Sequence, residues 1–229
     1  MLAAEEIARR LSEVRGRMTD AAKRSARFPD AIRLVLASKT QPPDAVRAAY
    51  RAGARDFGEN YIQEAAAKRA ELEDLRDATW HLIGHLQSNK TRQALGTFDI
   101  LQTLHSARLA EAIARLRPSL PMRVLIEVNL GGEASKSGVA ARDVEPLIEA
   151  ARDKVEIVGL MTIPPSTESA DAARKYFAEL RALRDRVAAT TGLALSELSM
   201  GMTEDFEVAI EEGATMVRVG RAVFGERLK

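Results

Sequence analysis

The chain of 229 residues carries 34 Lys and Arg against 33 Asp and Glu, for a formal net charge of +1, and contains no cysteine. The balanced charge argues against a protein that binds nucleic acid through bulk charge. The absence of cysteine excludes disulfides, thiolate metal sites and a cysteine nucleophile. The length fits one large domain or two small ones.

Residues 1–27 are predicted to form an amino-terminal helix. Ile7, Leu11, Val14 and Met18 recur at spacings of four, three and four, which places them on one helix face. The arginines off this stripe favour a solvated face over an RNA or membrane surface. The sequence shows neither a secretory signal nor an apolar run of about 18 residues, so we expect a cytoplasmic protein without membrane contact.

After residue 29, short apolar segments alternate with segments of helical periodicity. The predicted strands cover 32–37, 54–57, 80–84, 98–103, 122–129, 155–161, 196–200 and 215–219. The helices that follow them cover 44–53, 61–75, 89–95, 107–115, 144–151, 169–189, 204–212 and 221–226. Strands that alternate with helices pair in parallel, and eight such units close into a barrel.

We therefore predict an α/β fold, a (β/α)8 TIM barrel that forms a single domain over 1–229. The alternative is an open doubly wound sheet, which we disfavour because the count is eight and no GxGxxG motif follows the first strand. The extra amino-terminal helix is expected to cover the bottom of the barrel.

Lys39 lies two residues past the first predicted strand, at the end of the barrel where ligands bind. A partly buried lysine amine can attack a carbonyl and form a Schiff base. The alternative is a loop lysine with its amine in water. Lys136 is a rival, but its Gly-rich surroundings at 131–138 suit a mobile contact better than a fixed covalent anchor.

The loops after strands seven and eight commonly hold phosphate in such barrels. Ser199 and Thr203 supply hydroxyl groups, and Gly201 and Gly220 let the backbone approach an anion closely. Thr203 could instead only cap the helix that follows it. The acidic residues at 204 and 205 would repel a phosphate unless their side chains point away.

Arg218 lies within the apolar strand MVRV, so it either pairs with a carboxylate on the outer helices or faces a ligand in the barrel mouth. Asn60, at the end of strand two, either contacts that ligand or Lys39, or caps the next helix. A lysine on strand one, a phosphate cradle after strands seven and eight and an arginine on strand eight together describe a pyridoxal phosphate site.

The three histidines give a weaker signal. His81 and His85 are four residues apart but flank a strand end, and no third ligand stands at a recognisable spacing. We therefore expect no metal site. His105 is predicted to be a surface or helix-cap residue.

Six separated motifs occur in chain order: LVLASKTQP around Lys39, FGENYIQE at 57–64, WHLIGHLQSNK at 80–90, VLIEVNLGGEASKSG at 124–138, GLMTIPP at 159–165 and LSMGMTEDFEVAIEEGATMVRVGRAVFG at 198–225. With these motifs the chain resembles the pyridoxal phosphate homeostasis protein family. These are small barrel proteins related to the amino-terminal domain of alanine racemase. The similarity covers residues 32–227.

The resemblance implies that the cofactor is pyridoxal 5'-phosphate and that Lys39 forms the internal aldimine with it. It further implies that Ser199, Thr203, Gly220 and the backbone of Arg221 surround the phosphate. The aldimine is reversible, which suits a protein that holds a reactive aldehyde and hands it over.

By the same resemblance Arg218 lies beside the pyridine nitrogen, and Asn60 and Met161 lie near the ring. An arginine disfavours protonation of that nitrogen, because two positive charges would meet, and this weakens the ring as an electron sink. Alanine racemases use a second base from an additional domain, and we expect no such domain after the eighth unit here. Tyr61 and His85 are the nearby candidates for such a base.

We therefore expect a carrier and regulator of pyridoxal phosphate without catalytic turnover, and PLP-dependent apo-enzymes as its partners. The alternative is a PLP-dependent amino-acid racemase. No long exposed apolar face demands a dimer, so we expect a monomer that binds neither nucleic acid nor a membrane.

Overall fold

The computed structural model describes residues 2–116, 121–133 and 137–226. Its strands are β1 (Arg33–Ala37), β2 (Asp56–Glu59), β3 (Thr79–Leu82), β4 (Ile100–Leu104), β5 (Arg123–Glu127), β6 (Glu156–Met161), β7 (Glu197–Ser199) and β8 (Met216–Val219). Its helices are α1 (Ala4–Arg24), α2 (Pro43–Arg51), α3 (Ile62–Glu71), α4 (Thr91–Thr97), α5 (Ala107–Ala114), α6 (Val144–Ala151), α7 (Arg174–Thr191), α8 (Phe206–Glu211) and α9 (Arg221–Phe224). Among the described residues, no helix is long and apolar enough to cross a membrane.

The eight strands pair in parallel and in chain order, and β8 pairs with β1 to close the barrel. In this last pairing Val35 of β1 lies opposite Arg218 of β8. The closed sheet confirms the predicted (β/α)8 barrel and excludes the open doubly wound sheet. All eight predicted strands are present, and most are shorter than their apolar segments.

The amino-terminal helix is also confirmed, but its predicted place is wrong. The predicted stripe is buried, with Ile7 and Leu11 each 1% exposed. α1 packs against α2, α8 and α9 in the outer layer of helices instead of covering the barrel bottom. The physical reason is the shortness of α9, which leaves α8 and α2 without a full helix between them.

The arginines of α1 help to hold it in this place. Arg15 donates to the carbonyl oxygens of Ala52 and Gly53 at the end of α2, at 3.0 and 2.7 Å. On the other side, Arg24 pairs with Glu211 of α8 at 2.8 Å. These side chains therefore bind neighbouring helices and are not only solvated charges.

The barrel interior has an apolar part and a polar part. Ile100, Leu125, Val158 and Met161 form a buried cluster apart from the main core between sheet and helices. Gln102 follows Ile100 by two residues on β4, so both side chains point to the same side of the sheet. The bonds of Gln102 reach across to the opposite strands, as described below, and this places both side chains inside the barrel.

Candidate functional site

Lys39 lies in a tight turn at the carboxyl end of β1, as the sequence predicted. The backbone N–H of Gln41 donates to the carbonyl oxygen of Ser38 at 3.0 Å and closes the turn. Thr40 adopts a left-handed conformation with φ of 65°, which a β-branched residue rarely takes. Lys39 itself is half-buried, so its side chain leaves a turn of defined shape at the barrel mouth.

A buried ionic cluster, formed by Lys68, Glu59 and Glu64, holds this turn on both sides. Lys68, only 4% exposed, pairs with both carboxylates and donates to the carbonyl oxygen of Ser38 at 2.8 Å. Glu64 accepts from the backbone N–H of Thr40. The residues before and after the lysine of the turn are therefore bound to one cluster between β2 and α3.

Arg218 faces the barrel interior and not the outer helices, which decides between the two predicted orientations. Its Nη1 donates to Ser199 Oγ at 2.6 Å, and its Nη2 donates to the carbonyl oxygen of Thr162 at 2.8 Å. Burial lowers the pKa of Arg218 to about 10, against the opposing charges of Asp205 and Glu127. The guanidinium therefore stays positively charged at neutral pH.

A hydrogen-bonded chain of side chains leads away from Arg218 through the barrel. Ser199 Oγ donates to Gln102 Oε1 at 2.6 Å, and Gln102 Nε2 lies 2.9 Å from His81 Nδ1. His81 Nε2 lies 2.9 Å from a carboxylate oxygen of Asp56. We call these five residues the interior chain. Sequence reasoning considered His81 only as a metal ligand and missed Gln102 and Asp56.

Ser199 is at the predicted strand end, but its hydroxyl is already engaged on both sides. The oxygen accepts from Arg218 and the hydrogen goes to Gln102. The side chain is completely buried. Its side chain thus belongs to the barrel interior, whereas Thr203 is half-buried in the loop beyond it.

The two glycines of the predicted phosphate cradle pack closely against other elements of the fold. Gly201 has φ of 90°, and a Cβ there would lie 2.5 Å from the Cβ of Ala209. A Cβ on Gly220 would lie 3.0 Å from the carbonyl oxygen of Ala37. Only glycine fits these positions without a shift of the chain.

The acidic residues beside this cradle are turned to partners of their own. Asp205 accepts from the backbone N–H of Met202 at 2.6 Å, and Glu204 pairs with the side chain of Arg221 at 3.1 Å. The expected helix start at 204 is wrong, because α8 begins two residues later and Asp205 occupies the N-cap position. Thr203 is therefore not the N-cap.

Three buried side-chain oxygens are without a hydrogen-bond partner among the described residues: Glu59 Oε2, Asn60 Oδ1 and Glu127 Oε2. Asn60 does not cap α3, since Tyr61 holds the N-cap position. Burial raises the pKa of Glu127 to about 7. Met161 is fully buried in the apolar part of the interior. Glu127, at the end of β5, is a further residue that sequence reasoning missed.

The remaining histidines, His85 and His105, contact each other. Within the described ranges, no group of three or more His, Cys, Asp or Glu is placed to hold a metal ion. His85 stacks on His105 with ring centroids 4.6 Å apart, and Ser106 rather than His105 caps α5. Lys136 falls outside the described residues.

These features define the class of the protein as a barrel of the alanine racemase amino-terminal type: the model of that family, described as "Alanine racemase, N-terminal domain", matches residues 12–228. Relatives called pyridoxal phosphate homeostasis protein are 44% identical in Aquifex aeolicus, over 95% of this chain and 97% of the relative, and 44% identical in Pseudomonas aeruginosa, over 96% of each. The chain belongs to the pyridoxal phosphate homeostasis protein family.

Solved structures agree with this assignment. The PLP-bound structure of PipY from Synechococcus elongatus has a TM-score of 0.85 at 38% identity and covers 96% of this chain and 100% of that chain. An alanine racemase from Clostridium difficile matches with a TM-score of 0.71 at 12% identity, over 96% of this chain and 57% of that one. At this low identity the second match shows a shared fold only.

Proposed function

We propose that this protein binds pyridoxal 5'-phosphate at the carboxyl end of its barrel and acts in the homeostasis of that cofactor. The observation that carries the proposal is the pairing of β1 with β8, which places the Lys39 turn above a buried, charged Arg218 on the neighbouring strand. The name of the relatives and the cofactor in the PipY structure support it.

The residues of the mouth fit the cofactor. Lys39 supplies an amine for the aldehyde, and Arg218 supplies a cation for the pyridine nitrogen. Gly201 and Gly220 lie in the loops after β7 and β8, where such barrels commonly hold phosphate. Asn60 Oδ1, which has no hydrogen-bond partner within the described part of the chain, offers an acceptor beside the ring. Pyridoxal phosphate supplies an aldehyde that condenses reversibly with amines and loses water in doing so.

The other proposed contacts complete the binding site. Thr203 and the backbone of Arg221 bind the phosphate, and Met161 contributes an apolar wall near the ring. Ser199 acts on the cofactor through Arg218, because its hydroxyl is bound to that guanidinium. The ion pair between Arg221 and Glu204 joins the loops after β7 and β8 on the exposed side of the site.

The residues of the site favour binding of the cofactor over catalytic turnover on it. A guanidinium that remains charged at neutral pH keeps the pyridine nitrogen unprotonated, which weakens electron withdrawal by the ring. Of the two candidates for a second base, Tyr61 is 61% exposed and His85 stacks on another imidazole. We therefore propose reversible storage and delivery to PLP-dependent apo-enzymes without turnover. The cytoplasmic location and the monomeric state stay predictions.

Lys39→Ala tests the proposal directly. The purified protein with added pyridoxal phosphate should absorb as a lysine-bound cofactor, and borohydride should fix the cofactor on the peptide that contains Lys39. Lys39→Ala should lose both signals, whereas the exposed Lys23→Ala should keep them. A modified peptide that lacks Lys39, or no adduct at all, would overturn the proposal. Exchange of the α-hydrogen of alanine in deuterated water would instead support the racemase.

A further inference from the structure

The interior chain is continuous from one side of the barrel to the other. Its side chains come from β2, β3, β4, β7 and β8, and each contact between neighbours lies between 2.6 and 2.9 Å. His81, Gln102 and Ser199 are completely buried, and Arg218 is 4% exposed. Polar groups at this depth stabilise a fold only when they are hydrogen-bonded, so the order of donors and acceptors is strongly constrained.

Arg218 sets the direction of every hydrogen bond in the chain, because a guanidinium can only donate. Ser199 Oγ must accept from it, so the hydroxyl hydrogen goes to Gln102 Oε1. The amide nitrogen of Gln102 then faces His81 Nδ1, which must be the ring nitrogen without a proton. His81 therefore carries its proton on Nε2 and donates it to Asp56.

The acceptors that hold Arg218 are both uncharged. They are the hydroxyl of Ser199 and the carbonyl of Thr162. Asp205 and Glu127 act on the guanidinium through charge, but among the described residues neither carboxylate forms an ion pair with it. The arrangement thus fixes the guanidinium while its positive charge is not cancelled by a direct partner.

We propose that Asp56, His81, Gln102 and Ser199 are positioning residues that orient Arg218 for the pyridine nitrogen. Without the interior chain, the Arg218 side chain would be free to turn toward Glu127 or Asp205. An ion pair with either carboxylate would then neutralise its positive charge. The identity of the ligand rests on the proposed function, but the chain itself can be observed in the protein without cofactor.

The first test is the protonation of His81 in the cofactor-free protein, read from imidazole nitrogen shifts in a protein labelled at histidine. The expected result is a neutral ring with its proton on Nε2. In Gln102→Glu the new carboxylate cannot donate to Nδ1, so the hydrogen bond that keeps a proton off Nδ1 is lost and the nitrogen shifts of His81 should change. A parent ring that is protonated on Nδ1 would overturn the chain.

The second test is the affinity for pyridoxal phosphate of Gln102→Leu, which removes the hydrogen bonds of that amide to Ser199 and His81, and also its weaker contact with Met216 Sδ. A weakened hydrogen bond to a charged group predicts that the dissociation constant rises about tenfold, with a shift of the absorption band. Thr103→Val is the matched control. Its hydroxyl is also buried on β4 and donates to a backbone carbonyl, that of Gly84, at 3.0 Å, but it lies outside the chain.

Affinity should fall in Gln102→Leu and stay within about twofold of the parent in Thr103→Val. An equal loss of affinity in Gln102→Leu and Thr103→Val would overturn the positioning role, because it would indicate a general loss of stability. If Gln102→Leu does not fold, Ser199→Ala makes the smaller change, and Ser199→Thr should restore affinity because it keeps the hydroxyl. Failure of the proposed function would give a different result: neither the parent protein nor any variant would then form the adduct at Lys39.

Discussion

The ionic cluster and the interior chain are both buried polar networks that border the same site, but they are built from different chemistry. The cluster joins three charged side chains between β2 and α3, with Lys68 at its centre, and holds the backbone of Ser38 and Thr40. The interior chain has neutral side chains in its middle and charged ones only at its ends, Asp56 and Arg218, and it holds the side chain of Arg218 instead of a backbone segment.

This difference implies different responses to substitution. A buried charge that loses its partner keeps its full desolvation penalty, so the pair of Lys68 and Glu59 should be sensitive to the loss of either member. A neutral donor or acceptor that loses its partner carries a smaller penalty. The backbone at Lys39 therefore depends on an arrangement that tolerates little change, whereas the orientation of Arg218 should vary by degrees.

Lys68→Met is expected to have the largest effect on stability. It leaves Glu59, which is completely buried, without its cation, and breaking such a pair lowers the free energy of unfolding by about 3–5 kcal/mol. Urea denaturation measures the change, with the exposed Lys23→Met as control. Adding Glu59→Gln to Lys68→Met should recover part of the loss, and a double variant as unstable as the sum of the two single ones would contradict the coupling.

Glu127→Gln examines the charge next to the interior chain. Because burial raises the pKa of Glu127 from 4.5 to about 7, the unfolded chain loses this proton before the folded protein does as the pH rises. The parent should therefore lose stability between about pH 4.5 and pH 7, and the variant should not. The difference in unfolding free energy should reach about 3 kcal/mol by pH 8.

The control for this pH series is Glu73→Gln, because Glu73 is exposed. Its difference from the parent should stay constant from pH 5 to pH 8. A constant difference for Glu127→Gln as well would mean that the carboxyl is solvated and already ionised in the folded protein. Glu127 would then no longer contrast with Glu59 of the ionic cluster, which is buried and has a direct cation partner.

Much of the fold could be predicted from sequence because local periodicity encodes it. The alternation of apolar strands and helices predicted the barrel, and the rule that ligands bind at strand ends located Lys39 and Arg218. The position of α1 could not be predicted in this way, since it depends on the length of α9. A helix of only four residues is difficult to distinguish from a turn.

The interior chain could not be predicted for a related reason. Ser199 and Gln102 are 97 positions apart, and barrel closure alone brings them together. One signal was available: Gln102 is a polar residue within the apolar strand ILQTL, at an alternating position with Ile100. A polar side chain at such a place needs a partner inside the barrel, as the same reasoning showed for Arg218.

Glu64→Gln should have the smallest effect on the free energy of unfolding. It tests the one member of the ionic cluster that is partly exposed. The Glu64 side chain is 28% exposed, and it lies 3.1 Å from Lys68. Its amide replacement can still accept from the N–H of Thr40, so only the partly screened charge is lost, about 0.5–1 kcal/mol. Urea denaturation should show this small change with the adduct at Lys39 intact. A loss as large as that of Lys68→Met would mean that the cluster has no tolerant edge and that all three charges are needed to shape the turn.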